Sequence, residues 1–214
     1  MSNELDTPNI PFSSAVSHTE SSISIDAPIQ DVWHALTHTS TWPRWNRFVP
    51  RVTIREQPRP NSSDNTEYTA LQDRTRFIFH VNMHPESSDT PQSQSSNLRA
   101  TNLHIIQFDP PTSTSAQPTA ESSNGEDVKR KARITWASDA SADGFPMSYL
   151  LTAERVHELR EVVTEDGRTV TEVRNWEAQT GYLAYVVKWL FGGRLRNNFQ
   201  VWVEGLKGFV EGQQ

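Results

Sequence analysis

Residues 23–48, ISIDAPIQDVWHALTHTSTWPRWNRF, decide how the rest of this chain is read. Ile23 to Asp26 alternates as a short strand and runs straight into Pro28. That proline suits the first position of a helix, where its missing N–H would be unpaired anyway. Ile29, Val32, Trp33 and Leu36 then recur at helical spacing and give one apolar face. The helix breaks at Ser40, and Trp42-Pro43-Arg44-Trp45-Asn46 sets two indoles around a proline. A strand followed by two short helices opens the fold.

Outward from this stretch, alternating segments dominate. Val52 to Gln57 is short enough for an edge strand. Arg74 to His84 puts Phe77, Phe79, Val81 and Met83 on one face, with Arg76, Ile78, His80, Asn82 and His84 on the other. Leu98 to Phe108 carries Leu98, Ala100, Asn102, His104, Ile106 and Phe108 in one row. Val128 to Ser138 alternates Ala132, Ile134 and Trp136 against charged and hydroxyl side chains. Tyr149–Thr164 and Thr169–Trp176 flank Glu165-Asp166-Gly167, a hairpin turn signal. One strand before the short helices and six after them predict a seven-stranded antiparallel sheet. Residues 1–20 are polar with scattered prolines and read as a disordered N-terminal segment. Stretches 58–66, 85–97 and 110–127 are rich in Ser, Thr, Pro and Gln, and read as irregular insertions in a single domain spanning 21–212.

The chain closes on a long helix over 181–212, where Leu183, Val187, Leu190, Leu195, Phe199, Trp202, Leu206 and Phe209 keep three-to-four spacing apart from one longer step. Gly192-Gly193 interrupts it and predicts a kink or a close approach. Trp176-Glu177-Ala178-Gln179-Thr180-Gly181 leads into it. This segment, the opening strand with its short helices, and the element order together resemble the START-like, or SRPBCC, superfamily. That superfamily includes polyketide cyclases, coenzyme Q-binding proteins and pollen-allergen-like helix-grip proteins. The resemblance covers residues 21–212 and implies an α+β helix-grip fold: a seven-stranded antiparallel sheet wrapped around the long C-terminal helix. It also implies an apolar ligand held between sheet and helix. Gln179 stands where many relatives carry a phenylalanine, which makes the mouth of such a pocket more polar.

Composition narrows the chemistry. The 214 residues carry 20 Lys plus Arg against 26 Asp plus Glu, a net charge of −6 that lacks the basic footprint of a nucleic-acid binder. There is no cysteine, so thiolate metal sites and cysteine nucleophiles are excluded. No apolar run approaches the ~20 residues of a spanning helix. The first residues have neither the basic region nor the apolar core of a secretory signal, so a soluble cytoplasmic protein is expected. Nucleotide loops and metal-ligand clusters are absent, and neither a cofactor nor a metal is expected.

The ligand-binding candidates are Phe77, Phe79, Val81, Met83, Ile134, Trp136, Leu190 and Phe199, with the pocket opening near Trp45 and Tyr182. For each of these, ordinary core packing is the competing reading. Tyr182, Tyr185 and Trp189 could gate the cavity, pack in the core, or form a surface for a partner. Asn102 and His104 join the pocket if their row faces inward. His80 and His84 sit about 13 Å apart on one strand, too far to share an ion, and read as solvent-facing. Glu154, His157, Glu177 and His104 are the candidates for proton transfer. The competing reading of Glu154-Arg155 and His157-Glu158 is a set of charge ladders across the hairpin.

Three functions fit these residues. The first is binding of a hydrophobic small molecule of polyketide, quinone, sterol or isoprenoid type. The second is a metal-free cyclase, dehydratase or isomerase of natural-product biosynthesis. The third is a protein-interaction module with no cavity. An ionisable group inside the cavity separates the second from the first.

Overall fold

The computed structural model describes residues 4–58, 69–85, 98–111 and 130–212. Strands β1 (Ser17–Ile25), β2 (Arg51–Glu56), β3 (Arg76–Val81), β4 (Arg99–Asp109), β5 (Arg130–Ser138), β6 (Thr152–Val163) and β7 (Thr169–Thr180) form one antiparallel sheet in the order β1-β7-β6-β5-β4-β3-β2. β2 is an edge strand, as its shortness predicts. Helix α1 (Ile29–Thr37) follows β1, with Pro28 just before its first turn, and a 3-10 segment Thr39–Arg44 carries Trp42 and Pro43. Two single turns, α2 (Ala140–Asp143) and α3 (Met147–Leu150), precede β6, and α4 (Tyr182–Glu211) closes the chain. The fold is the helix-grip arrangement expected from the sequence.

Three local rules place these elements. The β6–β7 hairpin turns at Thr164–Arg168, where Gly167 takes φ 81° and the Thr164 N–H donates to the Arg168 carbonyl oxygen at 2.8 Å. A β-bulge between Ile105 and Gln107 in β4 changes the parity of that strand. Gly181 starts α4 at φ 95°, and a Cβ there would lie 2.4 Å from the Leu150 carbonyl oxygen, so only glycine lets the helix leave β7 against α3.

The core lies between the concave face of the sheet, α1 and the second half of α4. Its centre is aromatic: Trp42 meets Trp202 edge-on at 4.9 Å, and Phe79 meets Trp136 edge-on at 5.4 Å. Such pairs each contribute about 0.5–1.5 kcal/mol beyond their buried area.

Residues 4–20, expected to be disordered, are instead built onto the sheet. β1 pairs with β7 from Ser17 onward, and Asn9 donates through its backbone N–H (3.0 Å) and its side-chain Nδ2 (2.7 Å) to the two oxygens of Glu154. Thr7 and Ile10 are buried. The reason is the convex face: it carries a buried carboxylate, and the N-terminal segment supplies its donors. Of the expected insertions, 59–66, 86–97 and 112–127 lie outside the described residues.

Candidate functional site

Side chains on the concave face line up in rows that cross neighbouring strands. One row is Ser17, Gln179, Ala153; the next is Thr19, Glu177, Arg155, Trp136, Ile105; a third is Ser21, Asn175, His157, Ile134, Phe108. A fourth, Ile23, Val173, Leu159, Ala132, is apolar. This face therefore passes from polar to apolar along the strands.

A cavity of about 260 Å³ lies over the first two rows. Phe79, Val81 and Met83 from β3 and its end form one wall, with Phe48 and Val49 beside them. Val187, Phe191 and Leu195, one helical turn apart on α4, form the roof. Arg99 and Thr101 of β4 are exposed lining residues and mark the mouth, near Leu151. Trp136, Arg155, Glu177 and Gln179 form the inner end.

The polar groups at that inner end are tightly organised. Arg155 Nε and Nη2 lie 2.8 and 2.7 Å from Glu177 Oε2, and Gln179 Nε2 donates to Glu177 Oε1 at 2.6 Å. The Arg155 guanidinium is 4.0 Å from the centroid of the Phe199 ring, and Phe48 and Trp202 flank it at 5.5 and 5.8 Å. Arg155 Nη1 and Gln179 Oε1 are buried without a hydrogen-bond partner among the described residues. Each unpaired group of this kind costs about 1–3 kcal/mol, which favours a guest supplying both an acceptor and a donor.

One row deeper, His157 is fully buried, its ring 4.4 Å from that of Trp136 and 5.3 Å from that of Trp202. Burial, and after it the Arg155 charge, hold its pKa well below the usual histidine range, so it is neutral. Among the described residues neither ring nitrogen has a hydrogen-bond partner, and the same is true of the Asn175 amide beside it.

The candidates named from sequence divide accordingly. Phe79, Val81, Met83, Trp136 and Glu177 line the cavity. Phe77 and Ile134 are fully buried beneath it, and Trp45 packs against Trp42 and Trp202 at the other end of the core, so the mouth is not at Trp45. Phe199 is also buried and does not line the cavity, stacking instead on Arg155, which does. Tyr182 and Leu190 face outward, 81% and 55% exposed. The helix positions that line the cavity are Val187, Phe191 and Leu195, and Phe191 accounts for the longer step in the apolar spacing.

Asn102 and His104 face away from the cavity, because the inward positions of β4 before the bulge are Leu103 and Ile105. Asn102 bonds Asp143 (2.9 Å) and Arg55 (3.2 Å), and His104 lies opposite Arg76, which bonds Asp139. Glu154 also lies on the convex side, under Asn9. His80 bonds Arg51 and Thr53 at the outer edge.

Arg155, which the sequence offers only as part of a charge ladder, lies in the cavity wall, and Gln179, expected at the mouth, lies at the inner end. The hairpin held the signal: Arg155 and Glu177 are equidistant from Asp166, so folding the hairpin at that residue pairs them directly.

Comparison with known proteins agrees with this architecture. The family described as "Polyketide cyclase / dehydrase and lipid transport" matches residues 17–88. "Oxopyrrolidines biosynthesis cluster protein O" of Penicillium oxalicum is 38% identical over 214 residues, which is 99% of this chain and 95% of that protein. Among solved structures, the hypothetical protein jhp0584 of Helicobacter pylori superposes with a TM-score of 0.62 at 15% identity, over 97% of this chain and 96% of that one. The di-domain ARO/CYC protein StfQ from the steffimycin biosynthetic pathway gives 0.50 at 13% identity, over 94% of this chain and 52% of that one.

Proposed function

Because the chain belongs to the START-like (SRPBCC) superfamily, we propose that it binds an apolar small molecule of natural-product biosynthesis, with a hydrogen-bonding oxygen at one end. The observation that carries this reading is the cavity between sheet and α4, apolar along its walls and closed by Arg155, Glu177 and Gln179. The walls would hold a hydrocarbon or polyketide body by burial, at roughly 25 cal/mol per Å². Arg155 Nη1 would donate to a carbonyl or enol oxygen, and Gln179 Oε1 would accept from a neighbouring O–H or N–H. The similarity to a protein of an oxopyrrolidines biosynthesis cluster supports a ligand of natural-product type.

The test is titration with an environment-sensitive lipophilic dye, together with native mass spectrometry of gently purified protein. Val187 is half-buried in the roof, so Val187→Asp should remove dye binding while leaving the thermal midpoint near that of the wild type. Failure of the wild type to bind any lipophilic probe would discard the cavity reading in favour of an interaction module.

Glu177 supports a second reading, a cyclase, dehydratase or isomerase. A carboxylate in the cavity wall can take a proton from an activated C–H while Arg155 steadies the developing enolate oxygen. Turnover of a poly-β-carbonyl compound that Glu177→Gln lowers by about 10²-fold or more, with dye affinity retained, would establish it.

A further inference from the structure

We propose that the outer face of the first half of α4 docks on an anionic lipid bilayer. Val187, Phe191 and Leu195 point into the cavity, while the opposite side of the same turns carries Tyr182, Tyr185, Val186, Trp189 and Leu190, all exposed. Trp189 is 85% exposed, and the other six of the seven tryptophans are buried. Phe145 and Tyr149, 85% and 77% exposed, extend the patch from the segment containing α3, which abuts the start of α4 at Gly181.

Charge selects the occupant. The chain as a whole carries −6, yet residues 181–203 contain Lys188, Arg194 and Arg196 and no acidic residue. Helical spacing places Arg196 in line with Tyr182 and Trp189, and Arg194 beside Leu190. Among the described residues neither arginine has a carboxylate partner, whereas Lys188 donates to the Val16 carbonyl oxygen. Tryptophan and tyrosine favour the bilayer interface, and each basic residue near an anionic surface contributes about 1 kcal/mol. A second copy would set three cations against three. A convex stripe led by a protruding indole suits a deformable surface better than a rigid partner, which would need a matching groove. No described helix is long and apolar enough to cross a membrane, so the contact is one of a helix lying in the interface. Its inner face would then roof the cavity directly above the lipid.

Trp189 makes the test direct. The full chain is mixed with vesicles of phosphatidylcholine alone, and of phosphatidylcholine with an equal share of phosphatidylserine, then separated by flotation. Flotation only with the anionic vesicles, weakening as salt is raised, is the expected result. It should be accompanied by a blue-shifted emission component that brominated lipid quenches. Trp189→Ser should abolish that component, and Arg194→Glu with Arg196→Glu should weaken flotation by about tenfold or more. Both variants should keep the thermal midpoint and the dye binding of the cavity, which separates this proposal from that reading. Absence of flotation at low salt overturns the proposal, as does flotation that these variants leave unchanged. A dimer that Trp189→Ser dissociates, seen by sedimentation without vesicle binding, overturns it in favour of self-association.

Discussion

Arg155 holds its guanidinium 4.0 Å from the centroid of the Phe199 ring, and on its edge bonds Glu177 through two nitrogens. The contact joins sheet to helix, because Arg155 belongs to β6 and Phe199 to α4. An arginine suits this place better than a lysine, since a planar cation can stack and bond in its plane at once.

The pair is buried, so breaking it from one side is costly. Arg155→Met leaves the Glu177 carboxylate without its cation and should lower unfolding free energy by about 3–5 kcal/mol. Arg155→Met with Glu177→Leu should recover most of that loss, because two apolar residues need no partners. Urea unfolding of the three proteins measures both effects. Equal loss in the single and double variants would mean that packing against Phe199, and not the charge pair, is what matters.

Acid should weaken the fold through His157. Its pKa in the folded protein lies below the ordinary 6.5 because of burial and then the Arg155 charge. The unfolded chain therefore binds the proton first, and stability is full above pH 6.5 and declines as pH falls below it. The slope for this one group is about 1.4 kcal/mol per pH unit until the folded pKa is reached. His38 is lowered too, by burial and His34 against its backbone hydrogen bond, and His80 by burial and Arg51, so both add to the same window. Glu158 is held low by Arg133 and Arg160 against the opposing effect of burial, and acts only at more acidic pH. His157→Phe should remove the main part of the decline between pH 6.5 and 5. Unfolding curves that superpose for the two proteins across that range would refute the assignment.

The N-terminal segment should contribute measurably to stability. Asn9 gives Glu154 two hydrogen bonds, and Glu4 accepts one from Arg174 at 3.3 Å. Asn9→Ala removes the 2.7 Å side-chain bond to a buried carboxylate and should cost about 1.5–3 kcal/mol. Glu154→Gln, which keeps one acceptor, should cost less. Hydrogen exchange at the Asn9 amide provides a second readout, since a segment merely resting on the sheet would show no protection there.

The architecture was legible in the sequence because strand alternation, the Asp166-Gly167 turn and the long helix are local patterns. What escaped was phase. Leu190 and Phe191 are both apolar, and only the direction in which α4 crosses the sheet decides that Phe191 faces the cavity and Leu190 the solvent. In β4 the bulge after Ile105 brings Phe108 inward against Trp33 while Asn102 and His104 face out, so a row that assumes unbroken alternation mixes the two faces. Arg155 was hidden by type: a charged residue on a strand reads as surface until its partner across the hairpin is known. Residues 4–16 were hidden by composition, since they attach to the sheet through a few polar bonds and a single buried Ile10 instead of an apolar face.

The glycines of α4 differ in what they do, and substitution should separate them. At Gly205 a Cβ would lie 2.5 Å from the Trp45 carbonyl oxygen, so the helix touches backbone there. Gly205→Ala should therefore cost about 1–3 kcal/mol from overpacking. At Gly192 and Gly193 an added Cβ would meet nothing within 4 Å, so no close approach accounts for them. Each costs about 1 kcal/mol relative to alanine in a helix interior, and both stand within the cavity roof, between Phe191 and Leu195. Such a pair weakens the helix where Val187 and Phe191 would have to lift for a ligand to enter. Gly192→Ala with Gly193→Ala should raise unfolding free energy by up to about 2 kcal/mol. It should also slow dye release in stopped-flow displacement, with association slowed in parallel, so that equilibrium affinity changes less than either rate. A gain in stability with unaltered exchange rates would show that the ligand enters past Arg99 and Thr101 without movement of the helix.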